Sequence, residues 1–419
     1  MLNRRLYLQA WLVAIVALLV AFLTLEPPPE DVEPDGVATF TANDAVKSAV
    51  DFGTLAPRRA AGTPDAKTAA DWVAQRFGEL PDTNQGARVA TQNFTARRGG
   101  VQVPLTNVLF TQRAVGEPKS ARNILIVGPR DTPPGIAGGA SSTAILTVDG
   151  TAVGNAGMRW YLNSVERSRI AGVIVLDAPA QGTGQTLSLW SAGAGRQALA
   201  LRQLAEQSVR SAGFVPSTVP ALRTQLVRLA VPETRGDQRA AIDAGVPAVT
   251  IAGRDEGVLG ADAAEPDRQR YDAAGTATLD LINRLDAIER ANAPDAALAY
   301  AGKILRPAVG RLALLLLALP LLVMALDAAA RVRRARVRLS VGLRAVAWRF
   351  APPLVILLLA HMLTRWGVLP APTLGRPPLP GELTFGTRAL LVIALLAIVS
   401  FLLWMWVRPR VNATGVNPP

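Results

Sequence analysis

Four uncharged apolar runs stand at the two ends of this 419-residue chain and leave a long block of mixed composition between them. Residues 7–25 (YLQAWLVAIVALLVAFLTL) form the first. As a helix rising about 1.5 Å per residue, a run of this length crosses about 30 Å of hydrocarbon. Leu312–Leu326, Phe350–Leu363 and Ala389–Val407 lie in the C-terminal third, and the middle one opens on Pro352-Pro353. Such runs must leave water, so four transmembrane α-helices are expected, one N-terminal and three C-terminal. A cleaved signal peptide is the alternative for the first. Its exit into Glu26-Pro27-Pro28-Pro29 shows no small-x-small site, which favours an uncleaved anchor.

Charge sets the orientation. The net +12 suggests nucleic acid until it is divided: residues 26–306 carry 29 basic and 30 acidic side chains, and the remaining segments carry 15 and 2. The excess therefore flanks the apolar runs, and no nucleic-acid partner is expected. Arg4 and Arg5 precede the first run, seven arginines from Arg331 to Arg349 lie between the second and third, and Arg408 and Arg410 follow the last. All fall on one side of a four-span topology, as the positive-inside rule requires. Both termini and the Arg-rich loop are then cytoplasmic, the loop facing anionic membrane lipid. A large outer domain without cysteine must rely on its own core and points to a bacterial cell membrane. Asn93-Phe94-Thr95 has the form of a glycosylation acceptor but finds no eukaryotic context.

The expected order is a cytoplasmic N-terminus (1–6), span (7–25), acidic Pro-rich spacer and lead-in (26–54), extracytoplasmic domain (55–295) and linker (296–310). It continues with span (311–327), Arg-rich loop (328–348), span (349–367), outer loop (368–387), span (388–407) and cytoplasmic tail (408–419). Within the outer domain, Pro64–Leu80 has helical spacing behind the N-cap candidate Thr63. Arg88–Phe94 and Val101–Thr111 alternate like strands around an Arg97-Arg98-Gly99-Gly100 turn. Asn123–Val127, Gly172–Leu176 and Ala248–Ile251 read as buried strands; Gly154–Glu166, Arg196–Ala212 and Ala273–Ala291 read as helices. Strands alternating with helices predict an α/β domain, its sheet largely parallel and flanked by helices. Sites in such sheets form beyond the carboxyl ends of the strands. Asp131, Asp177 and the segment after Ile251 occupy such ends.

The pieces together resemble the M28 family of zinc exopeptidases. The resemblance rests on Arg59-Ala60-Ala61-Gly62-Thr63-Pro64, Trp72-Val73, Leu105-Thr106-Asn107-Val108, Asn123–Val127 followed by Asp131, Ala140–Ala144, Gly245–Val249 and a last helix ending Leu285-Asp286. It covers about residues 55–290 and implies a zinc-exopeptidase-like mixed sheet. It also implies a ligand set, which this chain departs from. Pro129 stands where the family has its first His, with Asp131 kept after it. Gly138 and Gly139 replace the bridging Asp, before an Ala140–Ala144 helix start. Thr147-Val148-Asp149-Gly150 follows where the family has a Glu pair containing its general base. Asp177 matches a later Asp ligand. Gly253-Arg254-Asp255-Glu256 offers no second His. The chain's one histidine, His361, lies in the third apolar run.

Zinc needs imidazole or thiolate donors alongside carboxylate, and a hydrolytic centre needs a base to activate water. The reading is therefore an M28-like protein without catalysis, cofactor or metal, binding a protein, peptide or envelope ligand. One alternative is an active zinc aminopeptidase rebuilt on Asp131, Asp177, Asp255 or Glu256. Another is a membrane subunit of an envelope assembly or transport complex. Asp131 and Asp177 have a calcium reading, set against helix capping or pairing with an arginine, Arg130 being adjacent to Asp131. Ser141 and Ser142 lack a His base, and Lys47, Lys67 and Lys119 lie in no nucleophile motif, so N-capping is preferred. Gly135–Gly139 has neither dinucleotide nor P-loop spacing. His361 stands as an intramembrane relay or as an interfacial His near Thr364-Arg365.

Overall fold

The computed structural model describes residues 4–23, 40, 42–80, 87–98, 101–112, 123–130, 143–182, 184–193, 197–220, 225, 236–254, 267–287, 298–300 and 303–305, with scattered residues of 309–330, 352–363 and 391–405. Two compact units emerge: Met1–Thr24 with Ala308–Thr373 and Gly381–Pro419, and Leu25–Pro307 with Leu374–Pro380.

In the first unit, helix α1 runs Arg4–Leu23. Leu12, Ile15, Leu19 and Leu23 are all exposed on it. No helix among the described residues is long and apolar enough to cross a membrane.

The second unit is built on a sheet with the order β1-β2-β4-β3-β5-β8-β6-β7. The strands are β1 Arg88–Arg98, β2 Val101–Thr111, β3 Asn123–Pro129, β4 Thr143–Val148, β5 Ile170–Asp177, β6 Thr186–Trp190, β7 Val215–Pro216 and β8 Ala248–Ala252. The run β4-β3-β5-β8 is parallel, whereas β1–β2, β2–β4 and β6–β8 pair antiparallel. Ile124–Val127 of β3 and Val173–Leu176 of β5 are buried without alternation. That pattern belongs to strands covered on both faces.

The flanking helices are α2 Asn43–Leu55, α3 Pro64–Gly78, α4 Ala156–Ser164, α5 Leu199–Ser211, α6 Asp237–Asp243 and α7 Arg268–Ala287. Thr63 caps α3, its Oγ1 accepting from the Ala66 amide at 3.3 Å, and Pro64 begins the helix. Ala66, Ala69, Ala70, Val73 and Phe77 then form the buried stripe.

The α/β class and the mixed sheet flanked by helices agree with expectation; four readings need correction. The strand expected at Arg88–Phe94 continues to Arg98, carried by full pairing with β2. The last helix begins at Arg268, earlier than Ala273. Residues 296–310, read as a linker, include a hairpin of β9 Leu298–Tyr300 and β10 Lys303–Leu305. Ala140–Ala144, read as a helix start, ends inside a strand: Thr143 and Ala144 belong to β4, paired to Ile124 and Leu125 of β3. Parallel neighbours supply a hydrogen-bond ladder that a two-residue capping signal does not outweigh.

Near the start of the unit, Phe40 lies over α7. A Cβ at Gly275 would fall inside van der Waals contact with the Phe40 ring. Glycine inside a helix costs about 1 kcal/mol relative to alanine, and this close approach gives the reason for one here. Ala42, Ala49, Ala180 and Tyr271 form a small buried cluster with Phe40 and Val46 against it. Burial pushes the Tyr271 phenol up to about 12.

Gly275→Ala is expected to lower stability by about 1–3 kcal/mol in urea unfolding, against the helix-propensity trend, because the ring must move. The raised phenol in the fold also sets a sign. Between pH 10 and about 12 the unfolded chain ionises Tyr271 while the folded chain keeps it neutral. That contribution is complete below pH 10 and is lost as pH rises through this window. Tyr271→Phe should flatten the stability profile there, read by thermal denaturation across alkaline pH.

Candidate functional site

Strand order locates the crevice. The chain leaves β3 for β4 on one side, and β5 lies on the other side of β3. In an α/β sheet such a reversal of strand order marks where a site forms, here at the carboxyl ends of β3 and β5. Register places Val148 opposite Pro129 and Asp177 opposite Ala252. With Val127 opposite Val175, Pro129 stands level with Asp177. Two positions singled out in the sequence are thereby neighbours at this reversal. Asp131, Gly138, Asp255 and Glu256 lie outside the described residues, as do Gly139, Ser141 and Ser142.

Among the described residues, the charged side chains at the ends of these four adjacent strands alternate in sign: Asp149 after β4, Arg130 after β3, Asp177 on β5 and Arg254 after β8. Arg130 and Asp149 are 4% and 3% exposed, with Nη2 3.8 Å from Oδ2. The Arg130 guanidinium also donates to the Thr106 carbonyl and, at 3.3 Å, to Thr147 Oγ1. Its own carbonyl accepts from Arg59 Nε at 2.9 Å. Arg59 in turn lies over the Phe52 ring, 4.9 Å from its centre. Asp177 is paired the same way, Oδ1 to Arg254 Nη2 at 3.7 Å. Of the arginine readings for Asp177, the partner is Arg254, and Arg130 turns to Asp149.

Asn107 fixes the β4 end. Fully buried, it donates from Nδ2 to the Gly157 carbonyl at 3.0 Å and accepts the Asp149 amide at Oδ1 at 3.3 Å. A side chain at Gly157 would strike both Asn107 Oδ1 and the Asp149 carbonyl, so glycine is required there.

Beyond Asp177 the backbone turns left-handed at Ala178, φ +45°. For a residue with a Cβ this costs about 1–2 kcal/mol, which the surroundings must offset. Arg270 supplies the restraint. Only 1% exposed, it donates to the carbonyls of Pro179 (3.3 Å), Gly184 (2.7 Å), Thr186 (2.8 Å) and Gly253 (3.1 Å). One planar guanidinium thus joins the β5–β6 turn to the β8 end. Burial lowers its pKa, and nearby Asp267 opposes that shift. Asp267 also caps α7, its Oδ1 accepting from the Gln269 and Arg270 amides at 2.8 and 3.2 Å.

The resemblance noted in the sequence implies zinc, and the described residues do not fit it. No group of three or more His, Cys, Asp or Glu that could hold a metal occurs among them. A cation beside Asp149 or Asp177 would face a guanidinium of like sign. His361 belongs to the other unit.

Asp149, Arg254 and Arg270 were not assigned these roles from sequence. An Asp directly after an apolar strand is a signal that finds Asp149. No local pattern marks Arg270, whose partners lie 17 to 91 residues away.

Among solved structures, the chain is similar to a glutaminyl cyclase from an Acidobacteriales bacterium, at 15% identity over 62% of this chain and 99% of that one, with a TM-score of 0.44. It is also similar to BSAP, a zinc aminopeptidase from Bacillus subtilis, at 10% identity over 64% and 99%, with a TM-score of 0.45. A Fimbriiglobus ruber glutaminyl cyclase matches at 19% identity over 61% and 99%, with a TM-score of 0.40. No protein-family model and no curated protein matches the chain. The strand order and register stand independently of these similarities.

Arg130→Ala leaves Asp149 buried without its cation and should cost about 3–5 kcal/mol in urea unfolding. Adding Asp149→Ala should recover part of that loss. A double variant no more stable than Arg130→Ala would mean the two side chains do not act as a pair.

Proposed function

We propose that this chain is a membrane-anchored, M28-like protein that works by binding at the switch-point crevice, without hydrolysis. The observation that carries the reading is the alternation of Asp149, Arg130, Asp177 and Arg254 across four adjacent strand ends. A hydrolytic metal centre gathers ligands around one cation and keeps a base for water. Among the described residues, Asp149 and Asp177 each have an arginine partner instead, which supports loss of the centre within a retained sheet. The order of sequence motifs supports M28-like ancestry of the fold, and fold alone does not assign the ligand.

The ligand class that suits such a crevice is a protein, a peptide or a cell-envelope component, and no cofactor is required. Attachment to a bacterial membrane through four spans is supported by the apolar runs and their arginine flanks. The exposure of Leu12, Leu19, Leu357, Leu358, Leu395 and Phe401 also supports it, since apolar side chains of this number are stable only when covered. Membrane lipid is then a partner of the first unit, and the second unit faces outward.

The deciding test is metal content together with aminopeptidase activity on the purified full-length chain. Zinc well below one per chain, with no turnover when zinc is added, is the expected result. Stoichiometric zinc with turnover that Asp177→Ala abolishes would establish the rebuilt metallopeptidase instead.

A further inference from the structure

We infer that the lead-in at Phe40 and Ala42 is a latch that holds the switch-point loops in place through the first two turns of α7. The contacts form a continuous path. The Phe40 ring occupies the space over Gly275, and the Ala42 amide donates to Asp272 Oδ1 at 2.5 Å. Ala42 and Tyr271 share a buried cluster with Ala180, which belongs to the turn after Asp177. The Asp267 amide donates to the Ala180 carbonyl at 3.3 Å. Arg270, beside Tyr271, grips Pro179, Gly184, Thr186 and Gly253.

The held turn has a tension to release. Ala178 sits left-handed, and Gly182 and Gly253 are packed so closely that a Cβ on Gly182 would strike the Gly253 carbonyl, and one on Gly253 the Ala178 and Gln181 carbonyls. A strained turn persists only while its surroundings over-determine it. Removing the lead-in frees α7's first turns to shift, and Arg270 shifts with them. The turn at 178–182 and the β8 end then relax together, moving Asp177 and Arg254. A packed element with two arrangements passes such a shift on as a discrete change.

Amide hydrogen exchange of the full-length chain tests the latch without any ligand, so its outcome is independent of whether the crevice binds or hydrolyses anything. The variants are Phe40→Ala, which removes the ring, and Asp272→Asn, which weakens the acceptor for Ala42 without changing size. Segments 42–50, 178–186 and 250–254 are expected to exchange about tenfold faster in both, while β3 (Asn123–Pro129) is unchanged. Faster exchange at 42–50 with 178–186 and 250–254 unaffected would overturn the coupling. So would no change anywhere, or an equal rise in β3.

Discussion

Arg270 is the interaction on which the crevice depends. Its guanidinium collects four carbonyls from the β5–β6 turn and the β8 end. Carbonyls in a turn or at the end of a strand have no full ladder to satisfy them. A side chain with five donors in a fixed plane solves that problem from one position. The left-handed Ala178 and the tight contact between Gly182 and Gly253 are tolerated because this cation holds both segments. The β5–β8 pairing sets Asp177 opposite Ala252, and Arg270 adds a second tie between the turn after β5 and the β8 end.

The same solution recurs at lesser depth. Arg130 crosses from the β3 end to Thr106, Thr147 and Asp149. Arg202, on α5, donates to the carbonyls of Leu189, Ser217 and Thr218 and pairs with Glu206. Arginine in this chain closes the ends of a sheet whose middle strands are apolar through Ile124–Val127 and Val173–Leu176. The cost is desolvation of each cation, visible in the lowered pKa of Arg270. The gain is a set of loops fixed without a disulfide, in a chain that contains no cysteine.

Legibility divides along range. Thr63, Pro64 and the stripe to Phe77 made α3 readable because caps and periodicity are local. The long β1–β2 hairpin was readable for the same reason. Strand β4 was misread because Thr143 and Ala144 take their state from β3, which supplies parallel partners across a chain crossover. At the site, Pro129 and Asp177 were identified from motif order, and register then set them level with each other. The arginine partners of Asp149 and Asp177 were not legible: Asp149 took Arg130 and Asp177 took Arg254, each from a neighbouring strand.

What the sequence determined alone was the inventory. It divided the chain into apolar ends and a charge-balanced block, set the α/β alternation, and denied the block any imidazole or thiol. Those are properties of composition and short-range pattern, fixed before folding. Tertiary structure decided the rest: which strand ends lie side by side, that their charges alternate, and that Gly275 exists to admit Phe40. Each depends on residues far apart in the chain meeting in a densely packed interior, where a single Cβ or an unpaired carboxylate is costly.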